Sequence, residues 1–318
     1  MTDETIRQSV LPVAKRINEE VKKAVIGKDD IIVKTQLAII AGGHILLDDI
    51  PGVGKTTLAL AFSKAMSLDY KRMQFTPDVL PADVTGFTVY NKQTECFEYK
   101  PGAALCSLFL ADEINRTSSK TQSALLEAME EGAVTVDGVT HELPKPFIVI
   151  ATQNPIGSVG TQMLPESQLD RFIVRLSMGY PDLNSEVAIL KSKGAEKPAD
   201  SIVPVASAKD VLMLRAAAEH IFVDDRVYRY IASIAAATRT HPQIKLGLSP
   251  RGSVALAAMA KATALLSGRS YVIPDDVKYI LNDVAEHRII ISPKAKAAGV
   301  TAADVLRDIT ARTPAPKI

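Results

Sequence analysis

Cysteines and long apolar runs are scarce in this 318-residue chain, and each shortage excludes a class of protein. Cys96 and Cys106 are the only cysteines, and neither lies in a CxxC pair or near paired histidines. This excludes a disulfide framework and a cysteine-based metal site, so we expect a reducing compartment. The apolar stretch at 37–47 is interrupted by Gly-Gly-His at 42–44 and is too short to span a bilayer.

An excess of charge of either sign is also missing. The 37 basic and 36 acidic side chains give a net charge of +1, and no basic stripe with interleaved aromatic residues is present. Nucleic acid is therefore disfavoured as the main partner. The N-terminus is acidic and lacks a basic segment followed by an apolar one, so we read no signal peptide and expect a cytoplasmic protein.

What remains is typical of a two-domain globular protein. Apolar residues make up 47% and charged residues 23% of a chain longer than one core usually supports. Strand and helix patterns alternate up to about residue 181, and only helical patterns follow. We therefore expect an α/β domain at 1–181, and a linker with a small all-helical domain at 182–318. The segment 193–206, with one glycine and two prolines, is the best loop or linker candidate.

The apolar pattern before residue 181 predicts a parallel sheet covered by helices on both faces. Helices are predicted before Gly27 and at 56–66 and 118–131, with hairpins at 86–100 and 133–143; the second should turn at Asp137-Gly138 in a type I′ geometry. The predicted strands are 44–48, 70–75, 107–112, 147–152 and 173–177. The predicted C-terminal helices are 210–221, 224–238, 250–266 and 275–284.

The strongest chemical signal is a phosphate-binding loop between the first strand and the helix after it. Its glycines allow backbone N–H groups to turn toward an anion, Lys55 can reach the β- and γ-phosphates, and the Thr56 hydroxyl can bind Mg²⁺. The pattern GxxxxGK[ST] has glycine where this chain has Asp49. The residues predicted to bind the nucleotide here are Pro51, Gly52, Val53, Gly54, Lys55, Thr56 and Thr57.

Polar side chains end two later strands. The strand at 107–112 ends in Asp112, and Glu113 follows; beside a phosphate-binding loop the first carboxylate holds Mg²⁺ through water and the second polarises an attacking water. The strand at 147–152 leads to Asn154, which is placed to orient that water. Asp112 is therefore the predicted metal-side residue, and Glu113 the predicted general base.

Arginines are the last candidates, because negative charge on the γ-phosphate is often stabilised by an arginine from a neighbouring molecule. Ser249 as N-cap and the proline after it place Arg251 in the first turn of a helix. The residues alone do not choose among the four candidates, which are Arg116, Arg171, Arg175 and Arg251.

In this order, the motifs resemble those of AAA+ ATPases and, more narrowly, of the MoxR family. The resemblance runs from about residue 25 to residue 287, and Asp49 is similar to the acidic residue of that family's own pattern. It is carried by VIG (25–27), LLDDIPGVGKT (46–56), QFTPD (74–78), ADEINR (111–116), TQSALLEAME (121–130), ATQNP (151–155), QLDRF (168–172) and LSPR (248–251).

The resemblance implies roles that the residues alone do not give. Asn154 would be the sensor 1 residue, Arg171 the finger reaching a neighbour's nucleotide and Arg251 the sensor 2 arginine, while Ile26 and Gly27 would lie near adenine. The hairpins would point toward a central pore or a partner. It further implies ATP and Mg²⁺ as cofactors, a ring homo-oligomer that is typically a hexamer, and chaperone-like remodelling of protein clients, often alongside a von Willebrand factor A domain protein.

Two other functions stay open on the sequence. A nucleotide-gated scaffold would bind ATP to assemble and hardly hydrolyse it. A DNA-directed motor is disfavoured by the balanced charge. A GTPase is the least favoured function, because no Asn-Lys-x-Asp segment is present.

Overall fold

The computed structural model describes residues 3–154, 164–192 and 198–317. Its helices, numbered in chain order, are α1 (Asp3–Ala24), α2 (Asp29–Ile40), α3 (Lys55–Ala65), α4 (Pro81–Thr85), α5 (Ser119–Glu131), α6 (Glu166–Leu169), α7 (Leu183–Ser192), α8 (Ala208–Glu219), α9 (Asp225–Thr240), α10 (Pro250–Leu266), α11 (Pro274–Ala285), α12 (Pro293–Ala297) and α13 (Ala302–Arg312). Its strands are β1 (Ile45–Asp48), β2 (Tyr70–Gln74), β3 (Gly86–Asn91), β4 (Cys96–Pro101), β5 (Leu108–Asp112), β6 (Ala133–Val136), β7 (Val139–Glu142), β8 (Ile148–Gln153), β9 (Val174–Leu176), β10 (Ile244–Leu246) and β11 (Ile290–Ile291).

The central sheet is parallel and has the strand order β2-β5-β8-β1-β9. Successive residues of its strands face opposite sides: Leu108 and Leu110 of β5 join one core, whereas Phe109 and Ala111 join the other. Burial on both faces explains the continuous apolar runs of the central strands β5 and β8. The prediction of an α/β sheet covered on both sides is confirmed.

Both hairpins form as predicted. Strands β3 and β4 pair antiparallel, as do β6 and β7. Asp137 and Gly138 have φ values of +49° and +78°, which is the sign pattern of a type I′ turn. Tyr99 of β4 stacks on His141 of β7 with ring centroids 3.7 Å apart, so the two hairpins contact each other.

The C-terminal half is helical with one exception to the prediction. Strands β10 and β11 pair antiparallel as a short ribbon. Its residues Ile244 and Ile291 pack against the larger of the two hydrophobic cores, the one that contains Leu108 and Leu110. Among the described residues of the loop predicted at 193–206, Val205 and Ala206 donate backbone N–H bonds to the Ala65 carbonyl, and the Val203 N–H bonds Glu20. This loop is therefore packed against α1 and α3; residues 193–197 lie outside the described part.

The larger core crosses the expected domain boundary. Helices α1 and α2 pack against α8 and α10 as well as against the sheet side of the molecule. The Arg215 Nε of α8 donates a 2.9 Å hydrogen bond to the Ile39 carbonyl of α2, and Lys34 of α2 pairs with Asp283 of α11. The N-terminal helices thus fix the position of the helical domain relative to the sheet.

Candidate active site

The phosphate-binding loop joins the carboxyl end of β1 to the start of α3. Gly52 and Gly54 have φ values of +86° and +101°, a region that side chains with a Cβ rarely adopt. No side chain caps the N-terminus of α3, whose N-cap residue is Gly54. The first N–H groups of α3 and the positive end of its dipole are therefore available to a phosphate.

Lys55 is already placed at this loop. Its side chain is largely buried, and its Nζ donates a 2.5 Å hydrogen bond to the Asp49 carbonyl. Burial lowers the pKa of Lys55, while the negative charges of Asp49 and Asp112 act in the opposite direction. A phosphate would give this ammonium group an acceptor of full negative charge in place of a neutral carbonyl.

Asp49, which replaces the usual glycine, ties the loop to a segment that follows β9. Its carboxylate accepts hydrogen bonds from the Ile50 N–H at 2.9 Å, the Gly179 N–H at 2.7 Å and the Ser177 hydroxyl at 3.1 Å. Three donors satisfy this buried carboxylate. The departure from the general pattern is thus a structural anchor of the loop.

Asp112 lies two strands away on β5, at the same carboxyl end of the parallel strands. We call this end of the sheet the phosphate edge. Its Oδ1 accepts a 2.7 Å hydrogen bond from the Thr152 hydroxyl, and its Oδ2 accepts one of 2.7 Å from Arg72 Nη2. Thr152 also accepts the Glu113 N–H at 2.8 Å, so β8 fixes both predicted carboxylate residues.

Glu113 has the backbone conformation of a left-handed turn, with φ +56° and ψ +49°. Non-glycine residues rarely adopt it, and such outliers are frequent at functional sites. The carboxylate accepts a 2.8 Å hydrogen bond from Arg116. Arg116, a candidate for action on a neighbour, is therefore engaged by the general-base candidate of its own chain.

Asn154 follows β8, between the strands that carry the loop and the carboxylates. Its carbonyl accepts a 3.3 Å hydrogen bond from the buried Asn115 side chain. The strand order β5-β8-β1 thus brings Asp112, Asn154 and the phosphate-binding loop to one edge. Pro155, the last residue of the ATQNP motif, lies outside the described residues.

The residues expected near adenine also lie beside this segment after β9. Gly27 has φ +71°, and a Cβ there would lie 2.0 Å from the Ser185 hydroxyl oxygen. Lys28 Nζ donates to the Tyr180 carbonyl at 2.8 Å. Ile26 is half-buried next to these residues. The same 177–180 segment therefore borders both the phosphate-binding loop and the expected adenine position.

The four arginine candidates fall into two pairs. Arg175 of β9 pairs with Asp48 at 3.6 Å and with Glu286 at 3.2 Å, so it lies near the loop of its own chain, as Arg116 does. Arg171 and Arg251 instead share the carboxylate of Glu130, with a distance of 3.1 Å between Arg171 Nη1 and Glu130 Oε2.

This shared carboxylate lies at the amino ends of the strands, opposite the phosphate edge. We call this end of the sheet the arginine edge. The ring of His44, just before β1, hydrogen-bonds the Met129 carbonyl, and the Ile173 N–H before β9 bonds the His44 carbonyl. Strand β1 separates that edge from the phosphate-binding loop by about 10 Å. Arg171 and Arg251 thus lie away from the loop of their own chain.

The residues at the phosphate edge fit Mg²⁺ held jointly with a nucleotide. Among the described residues no three His, Cys, Asp or Glu side chains gather as a self-sufficient metal site. Mg²⁺ bound with a nucleotide needs only one or two protein ligands, and Thr56 and Asp112 are of the right oxygen type. Asp48 Oδ1 and Gln153 Oε1 are also buried there without a partner in the described part of the chain. The ion would supply charge for the phosphate oxygens.

Sequence reasoning missed three residues of these two edges. Thr152 and Arg72 hold Asp112, and Glu130 holds the two arginines. A signal exists only for Thr152, because a hydroxyl in a fully buried strand requires a partner. Arg72 lies in the strand predicted at 70–75 and Glu130 in the motif at 121–130, but neither pattern indicates which partner these two side chains bind.

Comparisons with known proteins agree with this geometry. Residues 44–174 match the model of the ATPase family associated with various cellular activities (AAA), and residues 236–309 match that of the AAA lid domain.

Three relatives match along almost the whole chain. An uncharacterized protein of Bacillus subtilis, YeaC, is 46% identical over 98% of this chain and 97% of its own length. The Chaperone MoxR1 of Mycobacterium tuberculosis is 35% identical over 94% and 81%. The crystal structure of a candidate ATPase from Cytophaga hutchinsonii superimposes with a TM-score of 0.91, at 35% identity and with 99% and 98% of the two chains covered.

Proposed function

Because this chain belongs to the MoxR family of AAA+ ATPases, we propose that it hydrolyses Mg-ATP in an oligomeric ring and couples hydrolysis to chaperone-like remodelling or maturation of protein clients. The observation that carries the proposal is the convergence of the phosphate-binding loop, Asp112 and Glu113 at one edge of the sheet. Phosphate cradle, metal-side carboxylate and general base are the parts that this hydrolysis needs.

The roles at that edge follow from position and chemistry. Lys55 and the α3 N-terminus would bind the phosphates, Thr56 and Asp112 would hold the metal, and Asn154 would orient the attacking water. Glu113 would polarise that water after its carboxylate leaves Arg116. Ile26 and Gly27 would border the adenine.

The position of Arg171 and Arg251 supports action on a neighbour. Since both lie at the edge away from their own loop, they can complete only the site of another copy. A contact between two different edges of identical chains is head-to-tail, and such contacts close into rings when the rotation permits. We propose a hexamer on the family resemblance.

Partners and location are proposed on the same resemblance. The name of the M. tuberculosis relative, a chaperone, supports protein clients. We keep a von Willebrand factor A domain protein as the expected partner and the cytoplasm as the expected location. No helix in the described ranges has the length and hydropathy to cross a membrane.

Phosphate release by the purified chain tests the mechanism. Glu113→Gln should lower kcat by at least about 100-fold, since it removes the general base, and should leave ATP affinity within about twofold. Exposed Glu95, in the turn between β3 and β4, provides the matched control: Glu95→Gln should retain the rate. Unchanged turnover in Glu113→Gln would refute the assigned base.

One observation favours the scaffold alternative. In this conformation Glu113 is held by Arg116, and Asp112 by Arg72, as in a site that binds without turnover. A wild-type chain that assembles in ATP but releases no phosphate would support that alternative.

A further inference from the structure

Glu130 occupies a position that helix stability does not explain. It lies in the last turn of α5, next to Glu127 and Glu131, and that turn contains no basic residue. Carboxylates are unfavourable at a helix C-terminus because the carbonyl groups there already carry partial negative charge. Its partners must therefore come from elsewhere in the fold.

Those partners are two arginines from distant parts of the chain. Glu130 Oε2 lies 3.1 Å from Arg171 Nη1, and Glu130 Oε1 accepts a hydrogen bond from Arg251 Nη2. Arg171 Nη1 also donates to the Leu126 carbonyl of the same helix end at 2.7 Å. The acidic end of α5 thus gathers two guanidinium groups that would otherwise repel each other.

The arrangement leaves donors for an anion. Arg251 donates from one nitrogen, Nη2, to Glu130, and its other nitrogens have no partner in the described part of the chain. Its side chain is 47% exposed. A guanidinium group presents five donors in a planar fork, so a carboxylate bound on one side leaves the other side free for a phosphate.

A second carboxylate fixes the backbones that carry these arginines. Asp170 accepts hydrogen bonds from the Ser249 hydroxyl at 3.0 Å and from Arg288 Nε at 2.7 Å. Ser249 is the N-cap of α10, so the turn that holds Arg171 and the helix that begins before Arg251 are joined directly. Asp170 therefore sets the backbones, and Glu130 sets the side chains.

We propose that Glu130 is a positioning residue that holds Arg171 and Arg251 as one two-armed phosphate-binding unit for the nucleotide of the next copy. The inference rests on the proposed function. Glu130 itself contacts no substrate; it acts by fixing the separation and direction of the two guanidinium groups.

The test is steady-state ATP hydrolysis by the full chain. Glu130→Gln should lower kcat at least about tenfold and leave KM for ATP within about twofold, because misplaced arginines weaken transition-state contacts and leave binding at the loop intact. The matched control is Glu131→Gln, which should stay within twofold of the wild-type kcat. Glu130→Asp keeps the charge on a shorter side chain, so its kcat should lie between those of Glu130→Gln and the wild type. If Glu130→Gln does not fold, a kcat of Glu130→Asp below the wild-type value is the test of the inference.

Mixed assemblies locate the effect. Subunits with Lys55→Ala contribute intact arginines without hydrolysis of their own, so adding them should raise the rate per Glu130→Gln subunit. Subunits with both Lys55→Ala and Glu130→Gln should give no such rise. Equal rises from both, or a wild-type rate in Glu130→Gln, would overturn the inference. If Arg171→Ala and Arg251→Ala are inactive while Glu130→Gln is fully active, only the role of Glu130 fails; if no variant or wild type hydrolyses ATP, the proposed function fails instead.

Discussion

The two edges of the central sheet differ in charge, and the difference indicates why one copy is insufficient. The phosphate edge gathers the carboxylates of Asp48, Asp49, Asp112 and Glu113 around Lys55. The opposite edge gathers Arg171, Arg251 and Arg288 around Glu130 and Asp170. Among the described residues, each arginine at the first edge is paired with a carboxylate, and the second edge has no phosphate-binding loop. Each edge supplies what the other lacks.

The largest expected effect comes from removing an arginine of the second edge. Arg171→Ala should lower kcat by about 1000-fold with ATP affinity nearly unchanged, since a finger stabilises charge that develops during transfer. Phosphate release and nucleotide titration measure the two quantities. Arg307→Ala, at an exposed position of α13, is the control and should keep the wild-type rate.

The division of roles between the two edges would be wrong if Arg171 acted on the nucleotide of its own chain. Mixing Arg171→Ala subunits with Lys55→Ala subunits should restore hydrolysis at interfaces where an intact loop meets an intact arginine. Failure of the mixture to exceed the sum of its inactive parts, although mixed oligomers form, would place the arginine on its own nucleotide.

A smaller effect is expected at the phosphate edge. Lys55→Ala should weaken ATP binding by about 100-fold, because it deletes the charge-assisted contact of a buried ammonium group to the phosphates. Isothermal calorimetry with ATP measures this loss. Lys92→Ala in the turn after β3 should bind as the wild type does. Unaltered affinity in Lys55→Ala would remove the loop from the nucleotide site.

The smallest effect concerns acid stability at the arginine edge. His44 is buried, and burial lowers its pKa to about 4. The unfolded chain binds a proton near pH 6.5 while the folded one does not, so stability falls as pH decreases from about 6.5 to about 4. At pH 5.5 this group should cost about 1.2 kcal/mol relative to neutral pH. Urea unfolding at several pH values measures it.

A matched variant sharpens that measurement. His44→Gln removes the titrating ring, so proton uptake on unfolding near pH 5.5 should fall by about one relative to the wild type. An unchanged uptake in His44→Gln would assign the acid sensitivity to other groups, of which the buried His287 is next, since burial lowers its pKa as well.

Helices were harder to predict than strands for identifiable reasons. Helix α2 is buried on most of its faces, so its apolar residues lack helical periodicity, and the sequence shows only its last four residues, as the start of the apolar stretch at 37–47. Helix α13 was missed although its start has a clear signal, since Thr301 and Asp304 form a capping box. Strands β5 and β8 are evident in the sequence because burial on both faces leaves short, continuous apolar runs, whereas the edge strand β2 has a mixed polar pattern.

The sequence by itself determined the phosphate edge. A glycine loop between a strand and a helix, and polar residues after buried parallel strands, must meet at the carboxyl ends of those strands. Only the tertiary structure decided how the arginines are divided. Arg116 and Arg175 remain at their own phosphate edge, whereas Arg171 and Arg251 meet at Glu130 because the start of α10 docks against Asp170 through Ser249. That docking depends on the shapes of packed side chains far apart in the chain, which no local pattern encodes.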